Sequence, residues 1–244
     1  MKDTPKISKD NLNFFAKLDE KGLISYIEYL FLLSLVTKSQ EEFNIPFQVM
    51  DFGENGTLSF KEYHQFCSLA AKKKPQNDLP EKSTLIVHFF GFDRNHLLNF
   101  ENFSSFVSNF QKEVLLTEFH EYSRGQEKIS SLDFVSMILK YTKLTPEEHK
   151  NLIGKLHPDL YFTFEEMETF NRFLTKLDDF VYALSLFRTS VSVLSFAEFK
   201  RAAKVCMNGE ELPQNMIDVI FNLFIDEGTK LTYVKYPQYF FQFF

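Results

Sequence analysis

The sequence predicts an all-α protein, built from repeated helix–loop–helix units in two lobes, with short paired strands where loops meet. Three observations predict it. Phenylalanine is in excess, at 31 of 244 residues with no tryptophan. A short frame returns seven times along the chain. One of the seven loops carries oxygen-bearing side chains spaced around a glycine. A chain of this length buries enough surface for two lobes or one large domain.

The frame is an apolar residue, then Ser, Thr or Asn, then mostly aromatic residues one and four positions further on. In order it reads Ile24-Ser25-Tyr26 to Tyr29, Leu58-Ser59-Phe60 to Tyr63, Leu98-Asn99-Phe100 to Phe103, and Ile129-Ser130-Ser131 to Phe134. It continues with Phe162-Thr163-Phe164 to Met167, Leu194-Ser195-Phe196 to Phe199, and Leu231-Thr232-Tyr233 to Tyr236. The Ser, Thr and Asn positions lie 31 to 40 residues apart, about one helix, loop and helix. The apolar residue of each frame is expected to be buried in a very short strand paired with a neighbouring loop. The next residue caps the following helix, whose aromatics share one face.

The most complete loop is Asp51–Glu62, DFGENGTLSFKE. It fits the twelve-residue calcium loop of an EF-hand, which wraps six to eight oxygens around one ion. Asp51 stands at position 1, Asn55 at 5, the turn glycine Gly56 at 6, Leu58 at 8, Ser59 at 9 and Glu62 at 12. The expected ligands are Asp51, Asn55, the Thr57 carbonyl, Ser59 through water, and Glu62 with both oxygens. Position 3 is Gly53, so water must fill that corner. Glu54 at position 4 is expected to point away, which leaves Asp51 and Glu62 as the charged donors. The ion expected is Ca²⁺, held weakly at ~10⁻⁵ to 10⁻³ M, or Mg²⁺ in its place. The simpler alternative is an ordinary polar turn.

The other six loops lack this donor set. The first has Lys17, Asp19 and Lys21 at positions 1, 3 and 5, although Glu28 keeps position 12. The third runs from Gly91 to Asn102, and the fourth places Tyr122, Arg124 and Gln126 where oxygens should converge. The fifth has Lys155 and His157 but keeps Asp159 and Glu166, and the sixth offers Phe187, Thr189 and Val191 before Glu198. The seventh has Asp226 and Glu227 but ends on Lys235, a cation where the closing carboxylate belongs. These loops read as structural.

Between the frames, Ser39-Gln40-Glu41-Glu42 is a capping-box signal for the helix entering the Asp51 loop, and Pro46 should bend that helix. The segment 72–82, with Pro75 and Pro80, reads as a linker. Because it separates the second and third units, the first unit is expected to pair with the second. A long helix from about Phe100 to Tyr122 should join the third unit to the fourth. The expected lobes are residues 1–112 and 113–244. Seven is odd, so one unit lacks a partner in the chain or finds it in another subunit.

A net charge of −6 argues against nucleic acid as a partner, and Lys72-Lys73-Lys74 reads as a solvated linker. The stretch Leu23–Val36 is too short and too polar to span a bilayer. The first fifteen residues show neither a secretory core nor an Arg-rich transit pattern, so the reading is cytosolic, or a chain that begins after its targeting segment. Cys67 and Cys206 form no metal or redox motif, leaving buried thiols or one disulfide. No nucleophile elbow, phosphate loop, HExxH or CxxC is present, and the six histidines are scattered. The chain reads as a non-enzyme.

Beyond the Asp51 loop, the telling segments are Gly22 to Leu33, Val87-His-Phe-Phe-Gly, Leu98-Asn-Phe-Glu-Asn-Phe, Tyr161-Phe-Thr-Phe-Glu-Glu and Phe196-Ala-Glu-Phe-Lys-Arg-Ala. With these the chain resembles the mitochondrial calcium uptake proteins, the EF-hand gatekeepers of the inner-membrane calcium uniporter, and the second and third paralogue types more than the first. The resemblance runs from about Leu18 to Tyr239. It implies a two-lobed helical protein of the intermembrane space, associated with the inner membrane, that dimerises with itself or a paralogue and regulates the uniporter complex through calcium. In the family the first and last EF-hands bind calcium. The Asp51 loop matches the first with its position-3 ligand lost, and the Phe224–Lys235 loop matches the last without its closing acid. The alternatives are a calcium-independent structural partner and a cytosolic EF-hand adaptor. The C-terminal aromatics Tyr236, Tyr239, Phe240, Phe241, Phe243 and Phe244 are expected at an interface or folded onto the final helix pair.

Overall fold

The computed structural model describes residues 24–36, 38–70, 83–140, 145–154, 156, 159–187 and 196–224. They fall into two compact halves, divided between Leu115 and Leu116. In order, the first holds α1 (Tyr26–Val36), a 3-10 turn (Gln40–Glu42), α2 (Asn44–Met50), β1 (Thr57–Leu58), α3 (Phe60–Ala70), α4 (Thr84–Phe90) and β2 (Leu98–Asn99). The division between the halves falls inside α5 (Phe100–Ser123), the single long helix expected to join the third and fourth repeat units. The second half continues with β3 (Lys128–Ser130), α6 (Ser131–Leu139), α7 (Pro146–Gly154) and β4 (Tyr161–Thr163). It then holds α8 (Phe164–Leu174), α9 (Leu177–Phe187), α10 (Phe196–Cys206) and α11 (Gln214–Phe224).

The frame works as a set of helix starts. Ser25, Ser59, Ser130 and Thr163 each accept a hydrogen bond through their hydroxyl from the N–H three residues on, at 3.2, 3.4, 3.1 and 3.3 Å. Asn99 does the same through its amide oxygen at 2.8 Å. At Ser25, Ser59 and Thr163 the glutamate three residues on returns the bond to the capping N–H, completing a capping box. The Ser39–Glu42 pair forms as well, with Ser39 N–H donating to Glu42 at 3.0 Å. It starts only the 3-10 turn. Pro46 then sits in the first turn of α2, where a missing N–H costs nothing, so the entering helix is divided rather than bent.

Strand pairing corrects one expectation. β1 pairs antiparallel with β2, Leu58 facing Leu98, so the second unit pairs with the third across the linker and not with the first. A linker of this length does not prevent it, because closing a longer loop adds little entropy. β3 pairs with β4, Ile129 facing Phe162, joining the fourth and fifth units. Leu58, Leu98, Ile129 and Phe162 are all buried, as the frame requires. The frame positions at Leu194 and Leu231 lie outside the described residues.

The first unit departs from the frame. Ile24 is 44% exposed and residues 24–25 form no strand. Tyr26 and Tyr29, the frame aromatics, are also exposed, while Glu28 is fully buried. In α3 and α5 the buried residues fall on Tyr63 and Cys67, and on Phe103, Phe106, Val107 and Phe110. In α1 they fall on Glu28, Phe31, Leu32 and Leu35, one position earlier relative to the cap. One residue is a turn of about 100° around a helix axis. The cap of α1 is in register with the other units and its packing is not.

Phenylalanines fill both cores. In the first half Phe31, Phe47, Tyr63, Phe89, Phe90, Phe103 and Phe106 meet at ring separations between 4.7 and 6.4 Å. In the second, Phe162, Phe134, Phe170, Phe173, Phe180 and Phe199 form a continuous chain of ring contacts. Cys67 and Cys206 are free and buried.

Candidate calcium site

The Asp51 loop lies between α2 and α3 and is shaped by its own backbone. Glu54 and Gly56 take positive φ values of 51° and 76°. Gly56 is the natural residue for that conformation. Glu54 is exposed. In the paired third loop Arg94, also at position 4, has a φ of 59°, so the two loops turn alike.

Asp51 closes the first half of the loop. Its Oδ1 accepts from Asn55 N–H at 3.2 Å and its Oδ2 from Gly56 N–H at 2.8 Å. Asn55 Oδ1 accepts from the N–H and the hydroxyl of Thr57 at 2.9 and 2.7 Å. Glu62 reaches back from the first turn of α3: its Oε1 accepts from Gly53 N–H at 2.9 Å, and its Oε2 from Ser59 N–H and hydroxyl at 2.9 and 2.7 Å. Burial pushes the Glu62 carboxyl up, but the bonds from Ser59 and Gly53 outweigh it and hold the group below its ordinary range. It stays ionised at neutral pH.

A side chain grown from Gly53 shows how the loop converges. A Cβ there would stand 3.1 Å from Glu62 Oε1 and 3.3 Å from Asn55 Nδ2. Positions 5 and 12 therefore flank the position-3 corner, Glu62 by an oxygen and Asn55 by its amide nitrogen, while Asp51 bonds the N–H groups of Asn55 and Gly56 and Ser59 bonds Glu62. Two carboxylates, an amide, a hydroxyl and the Thr57 carbonyl make an oxygen set of the kind that hard divalent cations take. The residues fit calcium. Among the described residues no three His, Cys, Asp or Glu side chains gather to hold a metal, so the neutral oxygens of this loop must complete any shell.

In the other loops, the described side chains are bonded to protein groups. In the third, Asp93 accepts from the N–H and amide of Asn95 at 3.4 and 3.1 Å, and Arg94 lies over the Phe60 ring at 4.8 Å. In the fourth, Arg124 at position 3 stands 3.7 Å from Asp133 at position 12, a cation in the place of an ion. In the first, the Glu28 carboxylate accepts from Ser25 N–H and from the Ser83 hydroxyl, the latter 55 residues away. The Ser25–Glu28 box is legible in the sequence. The Ser83 partner is not, because nothing in its local pattern points to Glu28.

Among solved structures, the crystal structure of EFHA2 in its calcium-binding state matches 97% of this chain and 87% of its own, at 31% identity and a TM-score of 0.78. The apo structure of the mitochondrial calcium uniporter protein MICU2 matches 96% and 74%, at 27% identity and a TM-score of 0.75. With capped helices, strand-paired loops and one calcium-type loop, this is an EF-hand protein. The chain is 32% identical to calcium uptake protein 2, mitochondrial, of Homo sapiens over 235 residues, and 29% identical to calcium uptake protein 3, mitochondrial, of Mus musculus over 302 residues. It belongs to the mitochondrial calcium uptake protein family. These alignments cover 88% and 97% of this chain but 53% and 58% of the relatives, so the chain spans a little over half their length. No protein-family model matches the chain. Among the described residues no helix is long and apolar enough to cross a membrane.

Proposed function

We propose that this chain is a calcium-binding regulatory subunit of the mitochondrial calcium uniporter that modulates calcium uptake. The observation supporting it is the approach of Glu62 and Asn55 to the Gly53 corner, with Asp51 folded onto the N–H groups of Asn55 and Gly56, in a chain of the calcium uptake protein family. Asp51, Asn55, the Thr57 carbonyl, Ser59 and Glu62 hold the ion, with water at the Gly53 corner. Two charged donors give a weak site, ~10⁻⁵ to 10⁻³ M, with Mg²⁺ as the competing ion. Residues 1–112 and 113–244 act as two lobes. The chain works in the intermembrane space at the inner membrane, paired with itself or a paralogue.

Calorimetry with calcium and with magnesium on the purified chain tests the site, and uptake by mitochondria lacking or regaining the protein tests the role. Light scattering in calcium and in chelator tests the dimer, and a monomer in both overturns that part. A second reading is a loop that keeps its shape without calcium. It is favoured by the bonds that already engage the Asp51, Asn55 and Glu62 oxygens. A flat calcium titration decides for it.

A further inference from the structure

The first unit holds a helix with two usable faces. α1 reads YIEYLFLLSLV, with Glu28 as its only charged residue. Phe31, Leu32 and Leu35 are inside, while Tyr26, Tyr29, Leu30 and Leu33 are outside. A helix apolar on all sides has no preferred roll about its axis. The inward face is offset by one position from that of α3 and α5: by their frame Tyr29 and Leu33 belong where Tyr63 and Cys67, or Phe103 and Val107, lie, while Leu32 matches Phe106 and faces inward in either register.

What holds this face inward is Glu28. It is 0% exposed, and its carboxylate accepts from Ser25 N–H at 2.7 Å and from the Ser83 hydroxyl. Ser83 is itself buried and caps α4, accepting from Ile86 N–H at 3.2 Å. The bond thus ties the start of α1 to the start of α4. The arrangement carries a cost, because a carboxylate is withdrawn from water. The buried Tyr63 packs its ring edge-on against Phe31 of α1, with centroids 6.1 Å apart.

We infer that α1 is a two-position element latched by the Glu28–Ser83 bond. With the latch closed the helix shows Tyr26, Tyr29 and Leu33 to the outside. With it open the helix rolls by one residue, about 100°. Tyr29 and Leu33 then enter the core in the frame of the other units, and Glu28 moves to the half-exposed place that Glu62 and Glu166 occupy. The two packings exchange comparable apolar side chains, the condition under which a small local change selects between discrete states.

The chain has no tryptophan, so single indole probes report directly. Tyr29→Trp and, separately, Phe31→Trp are placed in the full chain, alone and together with Glu28→Ala or with Ser83→Ala. With the latch intact, Tyr29→Trp should emit as an exposed indole and Phe31→Trp as a buried one. Opening the latch should blue-shift the first with a several-fold fall in acrylamide quenching, and red-shift the second. Two unchanged probes overturn the inference. Exposure of both overturns it too, because that is α1 unfolding rather than rolling. If Glu28→Ala fails to fold, Ser83→Ala decides alone.

Discussion

The backbone N–H of Gly53 donates to Glu62 Oε1 at 2.9 Å, joining the third and twelfth positions of the loop. The fourth loop joins the same positions through Arg124 and Asp133 at 3.7 Å. In the first loop the position-12 acid, Glu28, turns to Ser83 instead. Each of these acids thus finds a donor within the protein. What distinguishes Glu62 is that its donors are a backbone N–H and its own helix cap, so no side-chain cation occupies the centre. An ion competes there only with hydrogen bonds.

Glu62 does two jobs, and substitutions separate them. Glu62→Gln keeps a capping box, since Gln serves at that position, and removes the closing charge. It should retain most of the stability of α3 and abolish the calcium signal in calorimetry. Glu62→Lys should abolish the signal as well and also lose the cap, costing about 1 kcal/mol in denaturant unfolding. An intact calcium signal in either variant would place the ion elsewhere.

The frame residue is a core residue in the second unit and a surface residue in the first. Leu58→Ala removes a side chain that is 0% exposed and faces Leu98 across the strand pair. It should cost about 2–5 kcal/mol. Ile24→Ala, at the same repeat position, should cost under about 1 kcal/mol. Equal losses in urea unfolding would refute the departure of the first unit.

Capping glutamates give the chain an acid limit. Glu42 is lowered first by the Ser39 N–H, and Glu148 by the Thr145 N–H. In Glu62 burial opposes but the bonds from Ser59 and Gly53 prevail. A carboxyl lowered by folding adds stability above its ordinary value of 4.5 and loses it as pH falls through the folded value. Glu118, raised by burial, pulls the other way. The unfolding midpoint should hold from neutral pH to about 5 and drop below about 4.5. Glu42→Gln with Glu62→Gln should flatten that drop; an unchanged slope would count against the caps.

Helix starts were legible because each depends on a local pattern. Ser59 with Glu62 and Thr163 with Glu166 declare themselves within four residues, and so did the calcium-type loop. Pairing was not legible. Leu58 meets Leu98 across 40 residues, and a proline-containing linker between them suggested a boundary that loop closure does not impose. The roll of α1 was hidden for another reason. YIEYLFLLSLV is apolar on every face, so its pattern cannot say which face turns inward, and the partner that decides it, Ser83, is remote.

The Gly53 corner yields the sharpest test of the calcium site. Gly53, unlike Gly56, lies outside the left-handed region, so its backbone accepts an L side chain. The Cβ of Gly53→Asp would meet Glu62 Oε1 at 3.1 Å and Asn55 Nδ2 at 3.3 Å, both ends of side chains that give by a few tenths of an ångström. Its carboxylate would add a third charge beside Asp51 and Glu62. Without the ion, three like charges repel and the unfolding midpoint should fall. With calcium, the added direct ligand should lower Kd by about tenfold, near 1.4 kcal/mol. Gly53→Asn supplies the oxygen without the charge, so it should gain less affinity and lose less stability. Calorimetry and thermal unfolding of the three chains, with calcium and with chelator, read both arms. A Gly53→Asp chain that binds calcium no tighter than the parent would show that this corner does not face the ion.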